Sequence, residues 1–143
     1  MKQNDEGYVR CSFHDCYKCC LETQMLLIEK DLQRIENNGY SRKNFCLEPT
    51  KSEGFWQLKN INGRCFFLSD EGKCSIYSIR PAGCRVYPLV FELSEEDIII
   101  DEDCREVTWF ANQKYTENQI QSVKKLANTL LNEQKLNSSI ETK

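Results

Sequence analysis

The sequence predicts a small, irregular α+β domain of short helices and hairpins wrapped around a cysteine-lined centre, followed by one longer C-terminal helix. Three observations predict it. Nine cysteines are spread along the chain, at positions 11, 16, 19, 20, 46, 65, 74, 84 and 104. Short alternating apolar stretches are separated by Asn-Gly, Asp-Glu-Gly and Arg-Pro signals, which favour brief elements and tight turns over long ones. Thr116-Glu-Asn-Gln119 is a capping box, and it opens a stretch with Ile120, Val123, Ala127, Leu130 and Leu131 along one helical face.

Taken in order, residues 1–10 are polar and are expected to be flexible. The segment Cys11-Ser-Phe-His-Asp-Cys16-Tyr-Lys-Cys19-Cys20 follows. Thr23–Ile28 reads as a short strand. Glu29–Asn38 has helical spacing, with Leu32 and Ile35 on one side and Gly39 as the residue that ends it. Ser41 is placed to cap a short turn running to Cys46. After a polar loop over residues 48–54, Phe55–Ile61 alternates like a strand. Asn62-Gly63 is a strong hairpin signal before Cys65-Phe-Phe-Leu68. Asp70–Gly72 marks a turn, and Pro81 suits the first turn of a short helix that carries Cys84 and Arg85 and stops before Pro88. Leu89–Leu93 and Ile98–Ile100 read as strands around a Ser-Glu-Glu-Asp turn. The apolar stripe of the last helix is expected to pack on the domain. The pattern divides the chain into a flexible N-terminus (1–10), a cysteine-cluster domain (11–112), a C-terminal helix (113–134) and a disordered tail (135–143).

Composition narrows the function. A chain of 143 residues with 40% hydrophobic residues can build one modest core. Its formal net charge of −3 argues against nucleic acid as the main partner, since phosphate backbones call for a basic face. The start, MKQNDEGYVR, has no apolar core of a secretory signal, and the longest apolar runs, such as Met25–Ile28 and Ile98–Ile100, are far short of a membrane span. A cytoplasmic protein with no membrane partner is the expectation. In that compartment an odd number of cysteines points to metal rather than to disulfides.

Cys16-x-x-Cys19 has the spacing with which a tight turn converges two thiolates on one ion. Cys20 makes three thiols within five residues, a costly group to leave exposed to oxidation. Cys65, Cys74 and Cys84 form a second group, each beside a turn or helix start, and Cys104 follows the acidic run Asp101–Asp103. These seven suffice for one four-ligand site with spares, or for two linked metals. Four thiolates around zinc or a cluster leave negative charge that prefers cationic neighbours. Lys18, Arg64, Arg80 and Arg85 lie next to or near cysteines, and Arg85 is the strongest candidate. His14 reads as a neighbour of the site rather than a ligand, and Cys11 and Cys46 as buried thiols outside it. Tyr77, Tyr87, Phe66, Phe67 and Trp56 read as walls around the site.

The blocks Phe13-His-Asp-Cys16-Tyr-Lys-Cys19-Cys20, Cys65-Phe-Phe-Leu68 and Cys74-Ser-Ile-Tyr77-Ser-Ile-Arg80-Pro81-Ala-Gly-Cys84-Arg85-Val-Tyr87-Pro88 resemble the YkgJ-type cysteine-cluster family, also called CxxCxxCC, described as zinc- or iron-chelating. The resemblance covers roughly residues 11–112. It implies a ligand set of Cys16, Cys19, Cys20, Cys65, Cys74 and Cys84, with Cys104 similar to the family's late cysteine. The chain departs from the pattern at Phe13, which stands where the first cysteine would be, and at Phe66, where the family has proline. A flagellin lysine methylase with a related cysteine region implies an iron–sulfur centre. This chain lacks the Gly-rich strand–loop–helix of a methyl-donor site.

The sequence therefore points to a metal-binding protein holding an iron–sulfur cluster or zinc, with a structural or redox role. The many thiols and the related methylase tip the balance slightly to iron–sulfur. The alternatives are an enzyme that uses the centre as cofactor, methyltransferase-related on the resemblance, and a metal storage or delivery protein.

Overall fold

The computed structural model describes residues 20–21, 23–50, 52–92, 96–102 and 104–141, with side chains through Ser138. Short elements dominate, as the turn signals predict. A three-stranded antiparallel sheet forms from β1 (Leu26–Leu27), β2 (Cys46–Leu47) and β3 (Trp56–Leu58), with β3 in the middle. Between β1 and β2 lie α1 (Glu29–Glu36) and the single turn α2 (Arg42–Phe45). β4 (Asn60–Ile61) and β5 (Arg64–Cys65) form the expected hairpin. Its turn residues Asn62 and Gly63 have φ of 53° and 78°, the left-handed conformation in which this pair is least strained.

Leu27, Leu32, Ile35, Phe45, Leu58 and Phe67 fill the first core, each no more than 2% exposed. The Phe67 ring packs edge-on against Tyr40, with centroids 5.1 Å apart, and against Phe66. Arg42 locks the outer side of this core. Its guanidinium bonds Glu29 at 2.9 Å and Glu36 at 2.7 Å and lies 5.0 Å from the centre of the Trp56 ring. The hydrogen bond between Glu36 and Arg42, and then their opposite charge, holds the Glu36 carboxyl below its usual range and the Arg42 guanidinium above its own.

Asp31 is the polar exception in this core, fully buried in the first turn of α1. One carboxylate oxygen accepts the Ile28 N–H at 3.1 Å, satisfying a donor that the start of α1 would otherwise leave open. The other accepts Arg34 Nη2 at 2.8 Å and the Ala82 N–H at 3.0 Å. Arg34 completes the frame by donating to the carbonyls of Ile79 and Arg80, at 3.2 and 3.1 Å. An ion pair on α1 thus holds Ile79, Arg80 and Ala82, on the chain that leads into α3 (Ala82–Val86). Gly83 lets that helix sit close: a Cβ there would fall on Met25 Sδ.

A second, smaller core of Val86, Leu89, Phe110 and Val123 joins α3 to the remaining elements. These are the hairpin β6 (Leu89–Glu92) and β7 (Asp97–Ile100), the short α4 (Val107–Ala111) and α5 (Glu117–Glu141). The capping box forms as expected. Thr116 N–H donates to Gln119 Oε1 at 2.9 Å, and Gln119 N–H to Thr116 Oγ1 at 3.1 Å. α4 was not evident in the sequence.

The expected disordered tail from residue 135 is instead a continuation of α5 to Glu141. Specific contacts with distant segments explain the difference. Glu133 Oε1 accepts the Glu29 N–H at the start of α1 at 2.9 Å. Gln134 donates to the Glu53 carbonyl and Asn137 to the Gly54 carbonyl, both at 2.9 Å. Within the stretch itself Asn137 docks onto a backbone carbonyl, while Lys135 and Leu136 face solvent.

Two predictions follow from these contacts. Asp31→Asn keeps the shape and removes the charge that pairs with Arg34. Removing one partner of a buried pair costs about 3 kcal/mol, the low end of the usual range, because Arg34 is 28% exposed. Urea unfolding at neutral pH measures this, and a loss below about 1 kcal/mol, the size of an ordinary hydrogen bond, would sink the claim. The second concerns Glu133, whose carboxyl is raised above its ordinary value of 4.5 by burial and, secondarily, by the charges of Glu29 and Asp31. The folded chain then holds that proton more readily than the unfolded chain. The group's contribution to stability is fullest in acid and falls as pH rises from 4.5 through the folded value. Glu133→Gln keeps the acceptor without the charge, so its stability relative to the parent should grow between pH 4.5 and 7. Parallel stability curves for the two proteins would contradict this.

Candidate metal centre

Strand pairing gathers three of the cysteines singled out in the sequence. Leu21 forms an isolated antiparallel bridge with Arg64, so the same register sets the Cys20 backbone across from Cys65. Asn60 reinforces this edge: its amide donates to the Thr23 carbonyl at 2.9 Å and accepts the Thr23 N–H at 3.1 Å. From Cys65 the chain turns at once, with Leu68 N–H donating to the Cys65 carbonyl at 2.9 Å. Leu68 then bridges Cys74, and Ser75 N–H returns to the Phe67 carbonyl at 2.8 Å. Cys65–Leu68 is therefore a tight turn, and that turn brings Cys74 back toward Cys65. Cys65 is 7% exposed and belongs to the first core, against which Cys20 and Cys74 pack.

Cys84 and Cys104 are placed by the second half of the fold. Cys84 lies in α3, its N–H bonded to the Pro81 carbonyl at 2.9 Å, one residue after the glycine that seats the helix on Met25. Cys104 packs against the second core, and its N–H donates to the Asp101 carbonyl at 3.1 Å. Beside it, Tyr115 donates its hydroxyl to the Phe110 carbonyl at 2.6 Å. Burial, and then the neighbouring Cys104 thiolate, raises the Tyr115 phenol above its usual range. Cys11, His14, Cys16, Cys19 and Asp103 lie outside the described residues. Among the described residues, no three cysteine, histidine, aspartate or glutamate side chains converge tightly enough to hold an ion. The donor chemistry nevertheless fits zinc or iron: the cysteines that pairing and packing gather are soft sulfur donors, sheltered by apolar side chains.

The expected cationic neighbours divide. Arg64 donates to the Ser69 carbonyl at 2.7 Å and faces Asp70 at 3.6 Å, bracing the loop between Cys65 and Cys74. Arg80 lies 4.0 Å from the centre of the Tyr77 ring and donates to the Tyr77 carbonyl. Arg85 lies in α3 beside Cys84. Among the expected walls, Phe67 is buried and Trp56 half-buried, but Tyr77 is 60% exposed. It stands outside the core, with Arg80 over its ring. Sequence reading also missed Asp31 and Arg34, the pair that fixes the approach to Cys84. Their i, i+3 spacing within one helix was the available signal.

Cys46 belongs to the same buried core as Cys65. It is 3% exposed, and its thiol donates to the Arg42 carbonyl at 3.1 Å. Burial pushes the thiol up to about 11. Because the thiolate is the reactive form, Cys46 should be the slowest of the described cysteines to be alkylated by iodoacetamide in the native chain at neutral pH. Peptide mapping over a time course checks this, and early labelling of Cys46 would overturn it.

A search of curated proteins and of solved structures finds no match to the chain. One family model matches residues 10–112, well over half of the chain; it is the CxxCxxCC model, described as "Putative zinc- or iron-chelating domain". Its span takes in every cysteine and ends at the close of α4, so that α5 is an addition beyond it. The chain belongs to the CxxCxxCC family of zinc- or iron-chelating domains.

Proposed function

We propose that this chain holds an iron–sulfur cluster through thiolates drawn from Cys16, Cys19, Cys20, Cys65, Cys74 and Cys84, with Cys104 as a further ligand. In this reading the centre staples three chain segments together and is available for redox work. The observation that carries it is the pairing of Leu21 with Arg64 and of Leu68 with Cys74, which collects cysteines distant in sequence at one core. The donor inventory supports iron–sulfur over zinc. Nine cysteines stand against one histidine, and clusters are held by thiolates. Shelter supports it as well. Burial at Cys65 beside Phe67 and Ile76 limits the access of water to a centre there, and solvent access is one of the factors that set cluster potential.

The test is a visible spectrum with iron, zinc and acid-labile sulfide analysis on protein purified without oxygen. A brown protein with matching iron and sulfide is the expected result. The colour should be lost in Cys74→Ser and Cys84→Ser and kept in Cys46→Ser, the internal control. Loss of colour in Cys104→Ser would support that residue as a ligand, and retention would remove it from the set. A colourless protein carrying zinc would overturn the cluster while leaving metal binding intact. Protein without either metal would overturn both.

A further inference from the structure

A cavity of about 620 Å³ lies between α5 and a wall made by β1, α3 and β6. Its lining is apolar on both sides: Met25, Phe55 and Phe91 from the wall, and Leu126, Leu130 and Leu131 from the helix. All six are half-buried and line this space, which opens to solvent on one side. The volume lies within the range of about 300–1,000 Å³ typical of small-molecule sites.

The fold keeps this space open. Toward its N-terminal end, α5 is fixed by the Thr116–Gln119 capping box and by Val123, which is 3% exposed in the second core. Toward its C-terminal end it is fixed by Glu133 on α1 and by Gln134 and Asn137 on the Glu53–Gly54 loop. The helix is thus held on both flanks of the cavity, and the stretch between, Leu126–Leu131, cannot fall onto the wall without breaking one set. The charge of the lining selects among ligands. Among the described lining residues Asp101 is the one charged group, and there is no lysine, arginine or histidine to meet an anion. Thr23, Gln24 and Tyr87 add uncharged polar groups.

We propose that this cavity is a binding site for an uncharged, largely apolar small molecule, taken up between α5 and the β1–α3–β6 wall. No described cysteine lines it, although Leu21 and Gly83, the chain neighbours of Cys20 and Cys84, do.

The experiment uses the full chain as purified, with N-phenyl-1-naphthylamine as a neutral probe and 8-anilinonaphthalene-1-sulfonate as its anionic counterpart. Saturable fluorescence enhancement by the neutral probe at one site per chain is expected, with at least tenfold weaker binding of the sulfonate. Ala127→Trp fills the cavity from α5 and should reduce neutral-probe affinity at least tenfold, while metal content and the thermal midpoint are retained. A second measurement covers the case in which that variant folds poorly. In methyl-labelled parent protein, the probe should shift Met25, Leu126 and Leu130 and leave the exposed Ile61 and Leu136 methyls unmoved. No neutral-probe binding, equal binding of both probes, undiminished binding to folded Ala127→Trp, or shifts centred on Ile61 and Leu136 would each overturn the proposal.

Discussion

A carboxylate with no access to water survives in a small core only when its surroundings satisfy it, and Asp31 is satisfied by three partners from two parts of the chain. The rest of the structure is arranged around that requirement. Ile28 supplies a donor from the start of α1, Arg34 supplies the opposite charge one turn later, and Ala82 supplies a donor from the first residue of α3. Because Arg34 also holds the carbonyls of Ile79 and Arg80, the path of the chain into Cys84 is set by α1 rather than by its own short helix. A five-residue helix has too few internal hydrogen bonds to define its own position. Here the position comes from an ion pair on one side and the Gly83–Met25 contact on the other.

α3 also touches both cores. Gly83 rests against Met25, which packs on the first core, while Val86 is part of the second. Two small clusters, each too thin to be secure by itself, gain from every tie between them. α5 supplies another, reaching from Val123 in the second core to the start of α1 through Glu133. The chain thus compensates for a limited core with polar contacts between segments far apart in sequence, many of them from a side chain to a backbone group.

That pattern explains what could be read from the sequence and what could not. The Asn62–Gly63 hairpin, the Thr116–Gln119 capping box, the end of α1 before Gly39 and the helix after Pro81 were legible because each is decided by a few adjacent residues. The buried thiol at Cys46 was legible too, from its isolation among the cysteines. Long-range consequences were not. Nothing near Asn137 announces that its amide will meet the Gly54 carbonyl, so a polar stretch was read as disorder. Of the candidate site, the residue types were legible, and so was the family they belong to. The meeting of Cys20 with Cys65 depends on a strand pairing between segments more than 40 residues apart, which local pattern does not encode.

The same separation of scales bears on how the proposed centre and the fold depend on each other. Cys65 and Cys74 are brought together by a local turn and its backbone bonds, so that this pair of the proposed ligands is organised by the hairpin region itself. Cys84 is different, because its place rests on Asp31 and Arg34, which belong to α1 and are no part of any ligand set. A metal bound across both groups would add to the frame that already joins α1 to α3, and the buried ion pair would in turn lower the entropy lost when Cys84 is captured. Each then strengthens the other by the same free energy, as linkage between binding and folding requires. Arg42, by contrast, braces the face of α1 that carries Glu29 and Glu36, leaving Asp31 and Arg34 to hold the cysteine-bearing side. Helix α1 is therefore fixed from two sides by charge, and this fixed helix gives a thiol in a five-residue helix a defined position.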